Sequence, residues 1–336
     1  MKYKRIVITR SGGPEVLQVV EEELPEPKAG EVRVKVLTAG VAFTDILVRE
    51  GLFPGMPSKP FTPGFDMVGI VDKQGEGVTA PGVGERVAAL RKFGCYAEYA
   101  CVPASELVRV PRHLDPAEAV SLCLTYVTAY QLLHRAARVK EGERILYHGA
   151  GGAVGTAILQ LGRLAGLEMY GTASKGKHDL VASLGGIPID YKNEDFVERI
   201  RGLTGEGVDA VFDPIGGTHW LQSYKTLRKG GRLVPFGISS ILKEGKAEVA
   251  IGFLILMLLK LIPDRKKVLW LFGVGMWPYS SRELCREDLK KLINLLKEKQ
   301  VSPVVAARLP LVEAARAHEL ISSASVSGKI VLVCNI

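Results

Sequence analysis

The prediction of the fold rests on one segment, Arg144-Ile145-Leu146-Tyr147-His148-Gly149-Ala150-Gly151-Gly152-Ala153-Val154-Gly155. A short apolar strand leads into a glycine-rich turn, and small residues after the turn begin a helix that we predict for 153–165. The free N–H groups and the dipole of a helix N-terminus attract a pyrophosphate, and small residues let the backbone approach it closely. An ordinary tight turn is the alternative interpretation, but the strands and helices around this turn favour a dinucleotide site.

On either side of this turn, the chain shows two different patterns. From residue 143 onwards short apolar strands alternate with helices, which predicts the α/β class with a doubly wound parallel sheet. Residues before about 120 instead show period-two alternation, as in 32–36, and frequent glycine and proline turns. A helix is expected to begin at Asp115-Pro116, a capping residue followed by a proline in the first turn. The other predicted strands are 85–90, 96–100, 144–148, 168–172, 188–190, 208–212, 232–236 and 329–333, and the other predicted helices are 128–137, 177–184, 196–203, 220–227 and 282–299.

Composition and charge exclude several classes of protein. The 336 residues are 47% hydrophobic and 24% charged, which indicates a globular chain with a sizeable core rather than a disordered one. The five cysteines include no C-x-x-C pair, so neither a disulfide scaffold nor a structural zinc knuckle is expected. The net charge of +8 is compatible with an anionic ligand, a nucleic acid, an acidic membrane or simply a solvated basic surface. Because lysine and arginine form no long block, we expect no nucleic-acid partner, and because the N-terminus lacks the apolar stretch of a signal peptide, we expect a cytoplasmic protein.

The end of the second α/β strand indicates which nucleotide would bind. An NAD site usually carries an acidic residue about 20 residues after the glycine turn, where it binds the ribose hydroxyls. Here the strand runs into Thr172-Ala173-Ser174 and then into Lys175 and Lys177, with no carboxylate before Asp179. Ser174 can hydrogen-bond a 2′-phosphate and a lysine can pair with it, so NADPH is the expected cofactor. The alternative for Lys175 and Lys177 is a solvated helix start.

Further motifs follow one another along nearly the whole chain. They are 27–32 (PKAGEV), 40–45 (GVAFTD), 63–69 (PGFDMVG), 84–87 (GERV), 96–99 (YAEY), 128–130 (TAY), 213–217 (DPIGG), 230–234 (GGRLV) and 328–329 (GK). Together with the glycine turn they resemble the medium-chain dehydrogenase/reductase superfamily, and specifically its zinc-independent quinone oxidoreductase branch. The resemblance implies a GroES-like β-rich domain of residues 1–122, completed by 278–336, and a Rossmann NADPH-binding domain of residues 123–277. It also implies a homodimer or tetramer, of which we expect the homodimer.

The expected cofactor-binding residues come partly from the residue pattern and partly from the resemblance. Around the glycine turn and the next strand they are Ala150, Gly151, Gly152, Ala153, Val154, Ser174 and Lys177. The resemblance adds Tyr191 near the adenosine phosphate, Asp213 in a loop near the nicotinamide, and Phe236, Gly237 and Ile238 in a loop that approaches the nicotinamide from the far side. Simple core packing is the alternative for Phe236.

The resemblance also allows catalytic zinc to be examined residue by residue. At the positions where zinc alcohol dehydrogenases carry their ligands, this chain has Ala42, Phe65 and Leu124, and none of these side chains can ligate zinc. We therefore expect no metal, and reduction of an electrophilic quinone or α,β-unsaturated carbonyl by hydride from the nicotinamide.

The chain also departs from typical quinone reductases. It lacks the asparagine that they often carry at Ala42 and the tyrosines near Leu47 and Phe53. Thr44, which matches a proton-relaying hydroxyl of the alcohol dehydrogenases, is the first candidate for an active-site donor, followed by Tyr126 and Thr128. Thr44 could instead cap the next helix, Asp45 could be a structural carboxylate, and water could supply the proton. A weakly catalytic nucleotide-binding scaffold or membrane-surface protein is therefore the alternative function.

The apolar segment 249–279 is the last unusual feature. Its strongest run, 249–259, has eleven uncharged residues against about 20 for a spanning helix, so two buried elements or a hydrophobic lid are expected rather than a span. A membrane contact is less favoured. The segment resembles an insertion in branches akin to the vesicle amine transport protein, and it implies a bulky hydrophobic substrate, a dimer interface or both.

Overall fold

The computed structural model describes residues 1–274 and 280–334, and the chain divides into two compact units. Unit 1 comprises Met1–Val127 and the described residues from Arg282 onward, and unit 2 is Thr128–Ser281. Both ends of the described chain therefore belong to unit 1. The boundary predicted between residues 277 and 278 falls outside the described residues.

The strands and helices are numbered here in chain order. The strands are β1 (Lys2–Ile8), β2 (Leu17–Glu23), β3 (Glu31–Val41), β4 (Asp66–Gln74), β5 (Arg86–Leu90), β6 (Tyr99–Pro103), β7 (Val108–Arg109), β8 (Arg144–His148), β9 (Glu168–Ala173), β10 (Gly186–Asp190), β11 (Val208–Asp213), β12 (Leu227–Pro235), β13 (Lys267–Val268), β14 (Val305–Pro310) and β15 (Lys329–Val333). The α-helices are α1 (Phe43–Arg49), α2 (Pro116–Ser121), α3 (Val127–Tyr130), α4 (Ala153–Leu164), α5 (His178–Ser183), α6 (Phe196–Thr204), α7 (His219–Lys225), α8 (Ile241–Leu259), α9 (Arg282–Lys297) and α10 (Ala314–Ser322). Two π-helical segments, Leu122–Tyr126 and Gln131–Ala137, flank α3, so the helix predicted for 128–137 is part α and part π.

Unit 2 contains a six-stranded parallel sheet in the order β10-β9-β8-β11-β12-β13. From the central pair β8 and β11, the chain winds outward to β10 on one side and to β13 on the other. This is the doubly wound order of the Rossmann fold, and it confirms the predicted fold class. β11 is buried along its whole length, as expected of a central strand of a parallel sheet. The apolar core around it includes Leu146, Tyr170 and Trp220.

Unit 1 is built on a seven-stranded sheet with a separate two-stranded hairpin, β1–β2. The order is β14-β15-β3-β4-β5-β7, and β6 pairs with β3. β15, close to the end of the chain, lies between β14 and β3, parallel to the first and antiparallel to the second. The predicted helix start is confirmed, because the Asp115 carboxylate caps α2 by accepting from Ala117 N at 3.0 Å and Pro116 is the first helical residue.

Most predicted elements differ from the structure by one or more residues at their ends, and two of these differences have a clear structural cause. The strand predicted for 96–100 is β6, which begins only at Tyr99, because the Tyr96 carbonyl instead accepts a hydrogen bond from Ile6 N of β1 at 2.8 Å. The helix predicted to reach Leu227 ends at Lys225, because Leu227 already pairs with Val208 and so begins β12.

The apolar run 249–259 forms the second part of α8, after a non-helical Gly245 with a φ of 81°. The prediction that this run is a buried element is wrong for one face of the helix, since Leu254, Met257 and Leu258 are each more than half exposed. The rest of the predicted segment includes residues 275–279, which lie outside the described residues. Among the helices that the structure describes, none combines the length and the apolar character needed to cross a membrane.

Candidate nucleotide-binding and catalytic sites

The glycine turn lies at the carboxyl end of β8, where the winding of the sheet changes direction. Ligands of open α/β sheets bind at this kind of position. Gly149 N and Ala150 N both donate to the Thr172 carbonyl of β9, at 3.0 and 2.9 Å, and this fixes the path of the turn. Gly152 precedes the first residue of α4 and no side chain caps the helix, in a segment that is fully described. The first N–H groups of α4 are thus available to an anion.

Gly155 allows α4 to pack directly against the turn. A Cβ atom at this position would lie 2.5 Å from the Ala150 carbonyl oxygen and 2.6 Å from the Ala150 Cα atom. Both neighbours are backbone atoms, which cannot move aside as a flexible side chain would. The turn therefore requires glycine here, as a close cradle for a diphosphate does.

Lys177 lies across the same turn. A Cβ atom on Gly151 would lie 2.6 Å from Lys177 Cδ, so the lysine side chain covers the outer surface of the glycine turn. Burial lowers the pKa of Lys177. Ser174, half-buried, follows β9 directly, and its carbonyl accepts a hydrogen bond from Lys177 N at 2.8 Å. The structure thus places the glycine turn, Ser174 and Lys177 next to one another.

Tyr191 follows β10, the next strand outward, and its side chain is 53% exposed. The turn that carries it is held by Asp190, whose carboxylate accepts from Lys192 N at 3.1 Å and from Asn193 Nδ2 at 2.8 Å. The hydrogen bond from Asn193 is the main cause that lowers the pKa of Asp190. Tyr191 is therefore presented on an ordered turn, at the same edge of the sheet as the glycine turn.

Asp213, at the end of β11, is fully buried and points into the protein. Its Oδ1 accepts from Ile215 N at 2.7 Å and from Gly216 N at 3.2 Å, while its Oδ2 accepts from Ser223 Oγ at 2.6 Å and lies 2.7 Å from His219 Nδ1. Burial alone would raise the pKa of Asp213, but the hydrogen bond and charge of His219 lower it to about 2. The carboxylate thus fixes the loop after β11, and its own oxygens are already engaged within the protein.

The segment Phe236, Gly237 and Ile238 follows β12 and packs on that same loop. Phe236 N donates to the Asp213 carbonyl at 3.0 Å, and Ser239 N donates to the Pro214 carbonyl at 3.1 Å. The Phe236 ring also lies 5.9 Å from the ring of the buried Tyr147, so this side chain has a packing role as well. The predicted cofactor residues therefore occupy the carboxyl ends of four neighbouring strands, β8, β9, β11 and β12, together with the turn after β10.

Comparisons with known proteins agree with this geometry. Residues 28–112 match the model of the alcohol dehydrogenase GroES-like domain, and residues 186–332 match that of the zinc-binding dehydrogenases. Quinone oxidoreductase 1 of Escherichia coli is 32% identical over 98% of this chain and 99% of its own.

The chain belongs to the medium-chain dehydrogenase/reductase superfamily.

Two further members of the superfamily show how the similarity is distributed. A synaptic vesicle membrane protein VAT-1 homolog of Danio rerio is 31% identical over 98% of this chain and 70% of its own length. The crystal structure of an Escherichia coli quinone oxidoreductase complexed with NADPH matches with a TM-score of 0.89 and 30% identity, over 98% of this chain and 99% of that one. The predicted family is thus confirmed, with quinone oxidoreductases and VAT-1 homologues as relatives.

The positions where superfamily members carry zinc ligands have other roles in unit 1. Ala42 precedes α1, Phe65 packs edge-on to Phe53 with ring centroids 5.8 Å apart, and Leu124 N donates to Asp66 Oδ2 at 3.2 Å. The donor set offers no thiolate, imidazole or carboxylate at these three positions, so it does not fit a zinc ion.

A buried charge cluster of Asp45, Asp66 and Lys329 lies beside these positions. Lys329 Nζ lies 3.4 Å from Asp66 Oδ2, and both side chains are almost completely buried. Asp45 Oδ2 accepts from Ala42 N at 2.9 Å, so this carboxylate stabilises the start of α1. Burial raises the pKa of Asp45 to about 7, and the nearby Asp66 adds to this effect. Sequence analysis missed the Asp66–Lys329 pair because its members are 263 residues apart.

The three catalytic candidates are placed as follows. Thr44 is half-buried in the first turn of α1, where the capping position belongs to Ala42, so Thr44 is not the cap. Tyr126 belongs to unit 1 and is 1% exposed, and its hydroxyl has no hydrogen-bond partner among the described residues. Burial raises the pKa of that hydroxyl. Thr128 is buried and belongs to unit 2.

A hydrogen-bond chain in unit 2 was not foreseen from the sequence. The Thr172 hydroxyl lies 3.1 Å from His148 Nδ1, His148 Nε2 lies 3.0 Å from Ser223 Oγ, and Ser223 Oγ donates to Asp213 Oδ2. Because Ser223 donates to the carboxylate, His148 must donate through Nε2 and accept from Thr172. Burial lowers the pKa of His148 to about 3, so the ring is neutral and this direction is maintained. This series of hydrogen bonds joins the carboxyl ends of β8, β9 and β11. His148, Asp213 and His219 together have the side-chain types that bind a metal ion, but their polar atoms already take part in hydrogen bonds within the protein.

Proposed function

We propose that this chain is a zinc-independent, NADPH-dependent oxidoreductase that reduces a bulky hydrophobic quinone or α,β-unsaturated carbonyl. The observation that carries the proposal is the position of Lys177 against the glycine turn, after a strand that ends in Ser174 without a carboxylate. A hydroxyl and an ammonium group suit the 2′-phosphate of NADPH, whereas NAD sites usually place a carboxylate there. The Escherichia coli relative that was solved with NADPH supports this choice.

Different residues of unit 2 would bind different parts of the cofactor. The backbone of Ala150–Val154 would hold the diphosphate, Ser174 and Lys177 the 2′-phosphate, and Tyr191 the adenosine. The loops that begin at Asp213 and Phe236 would orient the nicotinamide, because the hydrogen bonds of Asp213 fix both of them. When bound, NADPH supplies a hydride to the electrophilic carbon of the acceptor.

The substrate carbonyl then needs a hydrogen-bond donor and a proton. We assign this role to the Thr44 hydroxyl, since it is only half-buried in the first turn of α1 and is not used as its cap. Tyr126 and Thr128 are the further candidates, and water is the alternative source of the proton. No Lewis acid is assigned because Ala42, Phe65 and Leu124 cannot ligate one.

Cofactor choice can be tested by thermal shift and calorimetry with NADPH and NADH. A ligand that binds only the folded protein raises its melting temperature. We expect NADPH to raise it more than NADH does, and Lys177→Gln to weaken NADPH binding about tenfold while leaving NADH binding unchanged. Lys229→Gln is the matched control, because Lys229 is exposed at the opposite edge of the same sheet. A protein that binds neither coenzyme would refute the proposal.

Activity can be tested with NADPH and a panel of quinones and enones that differ in the size of their apolar substituents. Thr44→Val should lower kcat on the best acceptor by about tenfold or more, and Thr44→Ser should retain it, if the hydroxyl acts on the reacting carbonyl. Equal rates for all three proteins would assign the proton to another group or to water. Activity only with small polar acceptors would contradict the proposed substrate class.

A second candidate function, docking on an anionic lipid surface, is favoured by the exposed face of α8. Large apolar side chains in and just after this helix are between 38% and 77% exposed, namely Ile251, Phe253, Leu254, Met257, Leu258, Leu261, Ile262 and Trp270. Lys260 Nζ lies 3.4 Å from the centroid of the Trp270 ring, so the two side chains form a cation–π pair at this surface. Basic residues outnumber acidic ones along 241–267, with Lys243, Lys246, Lys260, Arg265, Lys266 and Lys267 against Glu244, Glu248 and Asp264. This charge complements anionic lipid.

Cosedimentation with vesicles tests this second candidate. The protein should bind vesicles that contain phosphatidylserine and not those of phosphatidylcholine alone, and Leu254→Ser combined with Leu258→Ser should abolish binding. Because both side chains are more than half exposed, the variant should keep its melting temperature. Equal binding by the variant would exclude α8 as the lipid contact, and a change in its oligomeric state would identify α8 as an interface between copies.

We further propose that the protein forms a homodimer through β13. This two-residue strand is the last of the six-stranded sheet, so its outer edge has no partner strand in the described structure. Such an edge is suited to pairing with another chain. Light scattering would give a dimer mass, and Val268→Pro would reduce it to that of a monomer; a monomeric wild-type protein would contradict the assignment.

A further inference from the structure

Unit 1 contains a basic groove between β5, β7 and α9, far in sequence from the candidate nucleotide site. The groove consists of two adjoining cavities of about 380 and 560 Å³. Both are lined by Val108, Arg109 and Lys290, so they lie next to each other. Volumes of this size are in the range of pockets that bind small ligands.

The charges that line this groove are strongly unbalanced. Five basic side chains, Arg86, Arg109, Arg112, Arg286 and Lys290, face a single acidic one, Glu85, among the residues that line the two cavities. Glu85 is already engaged, since it pairs with Arg109 Nε at 3.0 Å and accepts from Gly82 N at 2.7 Å. An excess of positive charge therefore remains in a concave surface, where the field of neighbouring charges is concentrated.

Two of the guanidinium groups have donors that the protein leaves unsatisfied. The Nε atoms of Arg86 and Arg286 are buried and have no hydrogen-bond partner among the described residues. Arg86 uses its Nη1 to donate to the carbonyls of Arg112 and Leu114, both at 2.8 Å, so it is held by backbone and not by a carboxylate. Burial lowers the pKa of Arg86, and the neighbouring Arg112 lowers it further. Asp115 offsets part of this repulsion, and a bound anion would offset more of it.

Apolar side chains also line the groove. Val87, Val108 and Ile293 are among its lining residues, and all three are buried. Arg286 and Lys290 are one helical turn apart on α9, so they project from the same side of that helix. Arginine and lysine in this arrangement suit phosphate, and arginine binds it through paired N–H groups.

We propose that this groove binds a small molecule with two or more phosphate groups, as a site separate from the nucleotide site of unit 2. A polyphosphate is required by the charge, because the basic side chains are distributed over both cavities. Arg286 lines one cavity, Arg86 and Arg112 line the other, and Arg109 and Lys290 line both. A single monoanion would neutralise only part of this excess.

Calorimetric titration of the full chain with inorganic tripolyphosphate tests the proposal, with saturating NADPH present to block the glycine turn. Tripolyphosphate should bind at least tenfold more tightly than orthophosphate, and binding should weaken as the salt concentration rises. Lys290→Gln and Arg286→Gln should each weaken it about tenfold, since each removes one charge-assisted contact.

Two control variants distinguish binding in this groove from binding elsewhere on the protein. Lys297→Gln removes an exposed charge from the end of α9, outside the groove, and should bind as the wild-type protein does. Lys177→Gln alters the nucleotide site of unit 2 and should also leave tripolyphosphate binding unchanged. Lys290 is exposed, so its variant should fold normally. No heat with tripolyphosphate, equal losses in Lys290→Gln and Lys297→Gln, or loss in Lys177→Gln would each overturn the proposal.

Discussion

At the scale of single residues, Asp45 shows how burial changes the chemistry of a carboxyl group. The side chain is completely buried beside Asp66, Lys329 and Tyr96, and one of its oxygens, Oδ1, has no hydrogen-bond partner among the described residues. Its other oxygen, Oδ2, accepts from the backbone N–H of Ala42, just before α1. With a pKa of about 7, this group changes charge in the range in which most assays are made.

Stability should therefore depend on pH through Asp45. The unfolded chain releases this proton near the ordinary value of 3.8, whereas the folded protein keeps it up to about 7. Between these values the unfolded state binds fewer protons, so the free energy of unfolding falls as the pH rises from about 4 to about 7. Urea denaturation at pH 4.5 and pH 8 should show that Asp45→Asn reduces this fall by on the order of 2 kcal/mol. Asp179→Asn, at an exposed position on α5, is the control; parallel profiles for wild type and Asp45→Asn would contradict the prediction.

Ser223 gives a second prediction at this scale. Its hydroxyl joins His148 to Asp213, and both partners are buried, so Ser223→Ala leaves a buried donor and part of a carboxylate unsatisfied. We expect a loss of about 1–3 kcal/mol in the free energy of unfolding. Ser183→Ala, which removes an exposed hydroxyl on α5, should change it by less than about 0.5 kcal/mol. Similar values for the two variants would mean that the hydrogen-bond chain contributes little to stability.

At the scale of secondary structure, the candidate site depends on the close contact between the backbone of α4 and the backbone of the glycine turn. Gly155→Ala would place its new methyl group against backbone atoms of Ala150, so either the helix or the turn must move. We expect a loss of stability of about 1–3 kcal/mol and a fall in NADPH affinity, both measurable in one thermal-shift titration.

The matched control for this substitution lies in α6. Gly202 is inside that helix with open space around its Cα, so Gly202→Ala adds a methyl group without any contact. Because alanine favours a helix more than glycine does, this variant should be more stable by roughly 0.5–1 kcal/mol. If Gly155→Ala were equally stabilising, the close approach would not constrain the turn.

Elements with a strong local signal were predictable, and those that depend on distant partners were not. β8 and β15 have the predicted bounds, and α4 begins at the predicted residue, because an apolar run next to glycine or a capping residue is a local pattern. The hairpin β1–β2 and strand β14 were missed, since none of the three strands has a regular alternation of buried and exposed residues along its whole length. The exposed face of α8 could not be foreseen either, because an apolar sequence alone does not reveal which side remains uncovered.

The candidate site shows the same division. The glycine turn, Ser174 and Lys177 are close in sequence, and their association was predicted from the β-strand and helix between them. The pairing of His148 with Ser223, 75 residues away, and of Asp66 with Lys329 depends on how the sheets are ordered. The spacing of residues in the sequence does not reveal the order of the strands. A single polar residue inside an apolar run is the only sequence signal that could have indicated these two pairs.

At the scale of the whole molecule, the Asp66–Lys329 pair joins β4 to the last strand within unit 1. Breaking one partner leaves an uncompensated buried charge, so Lys329→Met should cost about 3–5 kcal/mol in the free energy of unfolding. The double variant Asp66→Asn with Lys329→Met should recover a large part of that loss, because no unpaired charge remains. Urea denaturation of the two single variants and the double variant measures the coupling; additive losses would show that the two groups do not interact.

The position of β15 between β14 and β3 also has a consequence for synthesis on the ribosome. The opening 127 residues emerge early, yet their sheet lacks an inner strand until residues 329–333 have left the exit tunnel. Unit 2, which lies between the two parts of unit 1 in the sequence and has its strands in one continuous segment, can fold before unit 1 is complete. During that interval the edge of β3 that later pairs with β15 is open, and a nascent chain in this state can pair there with another chain.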